Sequence, residues 1–234
     1  MPRHRSRKDR GYHHGDLRSA LIAEARKMLE KAGPEAISFR AIARGTGVSQ
    51  TAPYNHFASK EQLLATLAAI GFRELEASQA AATKKAGSAE AQVERLGRAY
   101  VRFACGHPQL YRLMFGVGMS NWRALPEVAS AKKASFGPLQ RALAAYLAAN
   151  GRDDTAAVEA AAVTAWALAH GLSMLLIDGA LDVSHRGDDA ADMFTARMAS
   201  LLIAGLDTEA VASGRPIASR GATRRGPRRR SASS

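Results

Sequence analysis

Apolar residues fall in helical registers along most of the chain. Leu17, Leu21, Ala25, Met28 and Leu29 recur at i, i+4, i+8, i+11 and i+12, which predicts an amphipathic helix over residues 16–32. Asp16 is placed to cap it, and Gly33-Pro34 to stop it. A short helix is expected from about Phe39 to Thr46, capped by Ser38 and closed by Gly47, a residue that tolerates positive φ. Ser49 can cap a third helix, from Gln50 to about His56. Ser59 and Gln62 have the spacing of a capping box for a longer helix that carries Leu63, Leu64, Leu67, Ile70 and Leu75 to about Lys84. Beyond residue 87 no alternating run bounded by turns signals a strand. Helices are expected over about 88–105, 108–117, 126–149, 154–178 and 188–206, with Gly137-Pro138 kinking or splitting the third of these. The predicted fold class is all-α.

The segment Ser38–Phe57 reads as a helix-turn-helix. Two short helices crossing at a sharp turn need a small residue on the first, here Ala43, and a glycine in the turn, here Gly47. Ile42, Val48 and Phe57 supply the apolar anchors. The second helix would then present Gln50, Thr51, Ala52, Tyr54 and Asn55 outward. Gln and Asn pair bidentately with adenine, and Thr or Ala touches a thymine methyl. Arg40 has the reach for a guanine or a phosphate, and Tyr54, His56 and Lys60 for phosphates.

The distribution of charge strengthens that reading. Of a formal +12, residues 1–10 carry +4 and residues 215–230 carry +7, which leaves +1 for everything between. A nearly neutral body with two polycationic arms suits a polyanion, whose counterions are released on binding. The tail from 213 is Arg, Gly, Ser, Ala and Pro with little to bury, and is expected to be disordered, as is the arm 1–10. One cysteine, Cys105, allows no intrachain disulfide, and neither a membrane span nor a secretory signal is evident. The cytoplasm is the expected setting.

The string Gly47-Val48-Ser49, Tyr54, His56-Phe57, Lys60 and Leu63 resembles the recognition region of the tetracycline-repressor (TetR) family, G-V-S-x-x-x-x-Y-x-H-F-x-x-K-x-x-L. The match covers about residues 11–64. It implies that Tyr54, His56 and Lys60 anchor the DNA backbone while Gln50, Thr51, Ala52 and Asn55 face bases. Pro53 departs from the general pattern, which has leucine there; a branch of the family carries the same Ala-Pro-Tyr and opens with Tyr-His-His-Gly, seen here as Tyr12 to Gly15. Further along, Trp166-Ala-Leu-Ala-His170-Gly171, with Phe103 and Tyr111 to Phe115 upstream, resembles the family's C-terminal domain named for its Trp-His-Gly motif.

Trp166, His170, Met174 and Ile177 share one helical stripe. Two readings stand for it. Either Trp166 and His170, with Tyr100, Phe103, Met114 and Met174, wall an apolar ligand pocket between bundle helices, or these side chains are core. Alanines crowd the last two helices, and the resemblance implies that these pair with their copies in a homodimer. No metal site is expected, since Cys105 is alone and His107 and His185 lack partners at ligand spacing.

The expected organisation is a basic arm (1–10), a three-helix helix-turn-helix domain (11–58), a helical regulatory and dimerisation bundle (59–212) and a basic tail (213–234). The expected function is a sequence-specific, DNA-binding transcriptional regulator, a repressor released from a palindromic double-stranded operator by a small, mostly apolar effector, with no cofactor. An enzyme finds no support, as no Gly-rich phosphate loop, Ser elbow or Cys/His signature occurs. A sequence-indifferent packaging protein fits poorly with an ordered recognition helix. A regulator whose pocket is filled by its own side chains is the nearer alternative.

Overall fold

A computed structural model describes residues 14–84, 87–116, 125–152, 154–183, 187 and 189–212. Both basic tails, Tyr12, His13 and His185 lie outside them. The described residues contain α1 (His14–Ala32), α2 (Phe39–Thr46), α3 (Lys60–Thr83), α4 (Ala89–Gly106), α5 (Pro108–Phe115), α6 (Pro126–Ala149), α7 (Thr155–Ile177) and α8 (Ala190–Ala212), and no strand. Short 3-10 turns occupy Pro34–Ala36 and Ala52–Asn55.

Serines set several helix ends. Ser38 Oγ accepts from Ala41 N at 3.2 Å, Ser59 Oγ from Gln62 N at 3.3 Å and Ser88 Oγ from Ala91 N at 3.1 Å. Gln62 Oε1 reaches back to Ala58 N at 2.7 Å, one residue before the cap itself. Gly47 closes α2 in the left-handed region at φ 71°, where a Cβ would be strained.

Four expectations need correction. α1 begins at His14, so Asp16 lies in its first turn and is not the cap. The segment after the turn is a 3-10 helix, not an α-helix. Pro53 has no N–H to offer, and Ala52, Tyr54 and His56 each bond to the carbonyl three residues back. Pro138 does not split α6, which runs unbroken from Pro126 to Ala149. The last helix extends to Ala212, past the expected end near 206.

One core runs from Leu21, Ala25 and Leu29 of α1 through Ile42 and Phe57 to Leu63 and Leu67 of α3, Tyr100 of α4 and Leu110 to Met114 of α5. No break in packing falls between residues 58 and 59, where the head was expected to end. A second core joins Val93 and Leu96 of α4 to Leu143 and Leu147 of α6, Ala161 and Ala162 of α7, and Ile203 and Leu206 of α8. Polar ties reinforce both. Arg26 bonds Glu74 at 3.2 Å between α1 and α3, and Arg102 forms a two-pronged pair with the buried Asp192 between α4 and α8.

α7 is long and apolar enough, by length and composition, to cross a membrane, and only 28% of its apolar window is buried in the single chain. Glu159 and His170 interrupt it. The inner side of its N-terminal half belongs to the second core, Trp166, Ala169, Met174 and Ile177 pack on the first, and its outer side is left bare.

Candidate functional site

The head presents a polar surface over a firm base. Arg40, Gln50, Thr51 and Asn55 are exposed, as is Arg44 at the other end of α2, and Ala52, His56 and Lys60 are half-buried. Tyr54 is 64% exposed, and its ring meets Phe39 edge-on at 4.8 Å, which fixes the direction of its hydroxyl end. Pro53 and Phe57 point inward and are buried. Pro53 therefore supplies apolar anchoring at this position. Arg18 lies 5.2 Å from the Phe57 ring centroid and adds a cation beside the turn. The Ser49 and Thr51 hydroxyls are 3.1 Å apart, so Thr51 already has a partner within the turn.

A cavity of about 550 Å³ opens in the body, between α3, α4, α6, α7 and α8. Its walls are mostly apolar: Phe72 and Leu75 from α3, Phe136 and Leu139 from α6, and Met198 and Leu202 from α8 are representative. Trp166 and Tyr100 both line it, together with Phe115 at the end of α5.

Behind that wall four side chains form a hydrogen-bonded chain. Trp166 Nε1 donates to Tyr100 Oη at 3.1 Å; the Tyr100 and Tyr111 hydroxyls are 2.8 Å apart; Tyr111 Oη is 2.6 Å from His170 Nδ1. Burial pushes the Tyr100 hydroxyl up to about 12, and burial with the neighbouring Tyr100 pushes Tyr111 up as well, so both keep their protons. Burial pushes His170 down, and the Lys132 ammonium adds to this, so the imidazole is held neutral. A consistent direction follows: indole to Tyr100, Tyr100 to Tyr111, and Tyr111 donating to an unprotonated Nδ1.

Of the six residues expected to wall a ligand pocket, Trp166 and Tyr100 are on the cavity wall and the other four are not. His170 is one turn further along α7 and is held by the tyrosine pair. Phe103 is buried with its ring 5.2 Å from that of His107. Met114 is buried against Gly71, where a methyl group would fall 2.6 Å from its Sδ. Met174 packs on the core that joins head and body. Helical spacing groups these residues on stripes, but the cavity takes only the part of each stripe that neighbouring helices leave uncovered.

The sequence reading missed the polar members of the wall, Gln79, Lys132 and Lys133 among them. Gln79 of α3 is 4% exposed, and its Oε1 has no hydrogen-bond partner among the described residues. Lys132 and Lys133 of α6 also line the cavity. A lysine pair in an Ala/Ser-rich helix reads as a solvated face, and nothing local marks it as the edge of a cavity. Among the described residues no group of His, Cys, Asp and Glu is arranged to hold a metal.

Comparison with known proteins agrees with this architecture. Residues 21–67 match the family of bacterial regulatory proteins described as tetR, and residues 93–201 match a tetracyclin repressor-like C-terminal domain. A protein of unknown function from Rhodococcus sp. RHA1 is 34% identical, with a TM-score of 0.72 over 84% of this chain and 98% of that one. The regulator FadR from Bacillus subtilis, solved in complex with stearoyl-CoA, shares the fold at 14% identity and a TM-score of 0.64, over 80% of this chain and 98% of that one. PfmR from Thermus thermophilus, a TetR family regulator, does so at 17% and 0.57, over 79% and 97%. No curated protein matches the chain. With a head and a body that each match the family over most of their length, this chain belongs to the TetR family of DNA-binding transcriptional regulators.

Proposed function

We propose that the protein is a cytoplasmic repressor that binds a palindromic operator as a homodimer and is released when a small, largely apolar effector enters the cavity. The observation that carries this reading is the course of α3. It starts at Lys60, beside the exposed turn, and reaches the cavity wall at Phe72, Leu75 and Gln79, about 28 Å along the axis from Lys60 to Gln79. A change in the cavity is thereby coupled to the direction of the head. α5 gives a second path, since it packs on α1 and α3 while Phe115 lines the cavity. A ligand acts through its differing affinity for the two head spacings, and a coupling of about 1–3 kcal/mol changes DNA affinity roughly 5- to 150-fold.

The same reading assigns Gln50, Thr51, Ala52 and Asn55 to bases, and Arg40, Tyr54, His56 and Lys60 to base edge or backbone. Dimerisation is supported by the bare side of α7 and α8, where Val163, Leu168, Leu175, Met193 and Leu201 are exposed. Between the two helices runs a groove lined by Ala160, Thr164, Leu201 and Gly205, whose small residues allow a close approach. An open cavity favours a sensor over a regulator filled by its own side chains. FadR from Bacillus subtilis, which shares the fold, was solved in complex with stearoyl-CoA, and this supports a ligand-responsive reading.

The test selects bound fragments from the source genome with purified protein and footprints the best of them. Inverted repeats protected by a dimer, and released by a compound that also raises the melting temperature, are the expected result. Protection without symmetry, or a protein that no compound displaces, would overturn the dimeric and the sensing parts respectively.

A further inference from the structure

Among the described residues the cavity wall contains no aspartate or glutamate, but it contains Lys132 and Lys133. Neither ammonium has an ion-pair or hydrogen-bond partner among the described residues. Both residues are exposed, so they stand at the rim where α6 meets solvent, while Phe72, Phe136 and Trp166 line the interior. The charge of Lys132 is felt as far in as His170.

We propose that the effector is an amphiphilic anion, with its acidic group held at the rim by Lys132 and Lys133 and its apolar body inside. The proposal rests on the reading of this cavity as the effector site. A carboxylate at the rim keeps part of its hydration, and so escapes the desolvation cost that it would meet at the bottom of an apolar pocket. Next to a low-dielectric wall the two ammonium groups attract it more strongly than they would in bulk water, and they donate charge-assisted hydrogen bonds. The lysine stems can lie along the apolar wall while their heads turn to the ligand. A neutral ligand gains none of this, and a cationic one is repelled. At the liquid volume of about 30 Å³ per water-sized group, 550 Å³ admits on the order of 18 such groups, which sets the scale of the apolar body.

The test uses matched pairs that share a body and differ in charge: decanoate against 1-decanol, and naphthylacetate against naphthylethanol. Binding to the full-length protein is measured by calorimetry. The alcohol is the more apolar member of each pair, so a preference for the acid is diagnostic of charge recognition. We expect at least one acid to bind about tenfold tighter than its alcohol. The double variant Lys132→Gln/Lys133→Gln should lose that preference while binding the alcohol as before, and raised salt should narrow the gap. The pair that binds tells a straight-chain from an aromatic body. Alcohols that equal or exceed their acids in the unmodified protein, or a double variant that retains the preference, overturn the assignment of charge. In those cases Ala169→Phe, which pushes a ring into the cavity, still weakens binding and leaves the effector site standing. If neither pair binds, or if Ala169→Phe leaves binding unchanged, the effector-site reading falls together with the proposal.

Discussion

The Tyr111 hydroxyl stands 2.6 Å from Nδ1 of His170, so that α5 and α7 meet through a tyrosine donating to a neutral imidazole. Protonating His170 would turn its acceptor into a donor and oppose the whole chain of hydrogen bonds that ends at Trp166. Its folded pKa is lowered, by burial first and by Lys132 second. Below about 6.5, where an unperturbed histidine titrates, the unfolded chain therefore binds more protons than the folded one. Stability from this group is whole above that pH and falls as the pH drops below it. Urea unfolding at pH 7.5 and 5.5 should show the loss, and His170→Gln should reduce it at a cost of about 1–2 kcal/mol at the higher pH. Equal losses in both proteins would remove His170 as the cause.

Substitutions on the head should divide by role. Asn55→Ala or Gln50→Ala is expected to lose about 1–3 kcal/mol of discrimination at particular base pairs. Lys60→Ala should weaken operator and random DNA alike and reduce the salt slope by about 1. Titrations at several salt concentrations on matched and mutated operators check this. Uniform losses in both classes would mean that the turn does not read bases.

Leu201, 57% exposed on α8, and Leu175, 48% exposed on α7, make the dimer prediction sharp. Leu201→Glu with Leu175→Glu should yield a folded monomer by light scattering, since charges cannot be buried unpaired in an apolar interface. Operator affinity should collapse while affinity for a half-site stays near its original value. A double variant that remains dimeric would place the interface elsewhere.

The contact of Gly71 with Leu110 and Met114 leaves no room for a methyl group: a Cβ there would lie 2.6 Å from Met114 Sδ and 2.9 Å from Leu110 Cδ2. Gly71→Ala should cost about 1–3 kcal/mol through overpacking, despite alanine's better helix propensity. Met114→Ala should recover part of this in the double variant. Thermal melts of the three proteins test the coupling, and simple additivity would show that the two positions do not touch.

Helix ends written in neighbouring residues are legible in the sequence alone. Ser38 and Ser59 cap through bonds that span three residues, and Gly47 needs only its own φ. The set proposed to face DNA is compact in sequence, since its residues lie on α2, within the following turn and at the start of the next helix. Pro53 reads as a tolerable change in an α-helix, but the Ala52–Asn55 segment that holds it is a 3-10 helix. The cavity is less accessible. Met114 and Phe103 sit on helical stripes as Trp166 does, and what separates them is how neighbours cover each: Met114 is closed off by Gly71 of α3 and Phe103 lies against the His107 ring, whereas Trp166, packed against Phe115 and Phe136, keeps one side on the cavity. Lys132, Lys133 and Gln79 become notable only when five helices are brought together.

Among these parts α5 carries the most obligations for its eight residues. Phe115 walls the cavity, Tyr111 holds His170, Arg112 bonds the Ile177 carbonyl and Asp178 at the end of α7, and Leu110 packs toward the head. α6 and α8 are freer, since Lys132, Phe136, Met198 and Leu202 meet the cavity without joining that hydrogen-bonded relay. Inheritance should reflect the difference. A lineage that shifts to a new effector can rewrite the α6 and α8 walls one residue at a time and still keep a working switch, whereas a change in α5 must satisfy the cavity, α7 and the head at once. Divergence among descendants of this chain should therefore begin at Lys132 and Met198 and arrive last at Tyr111.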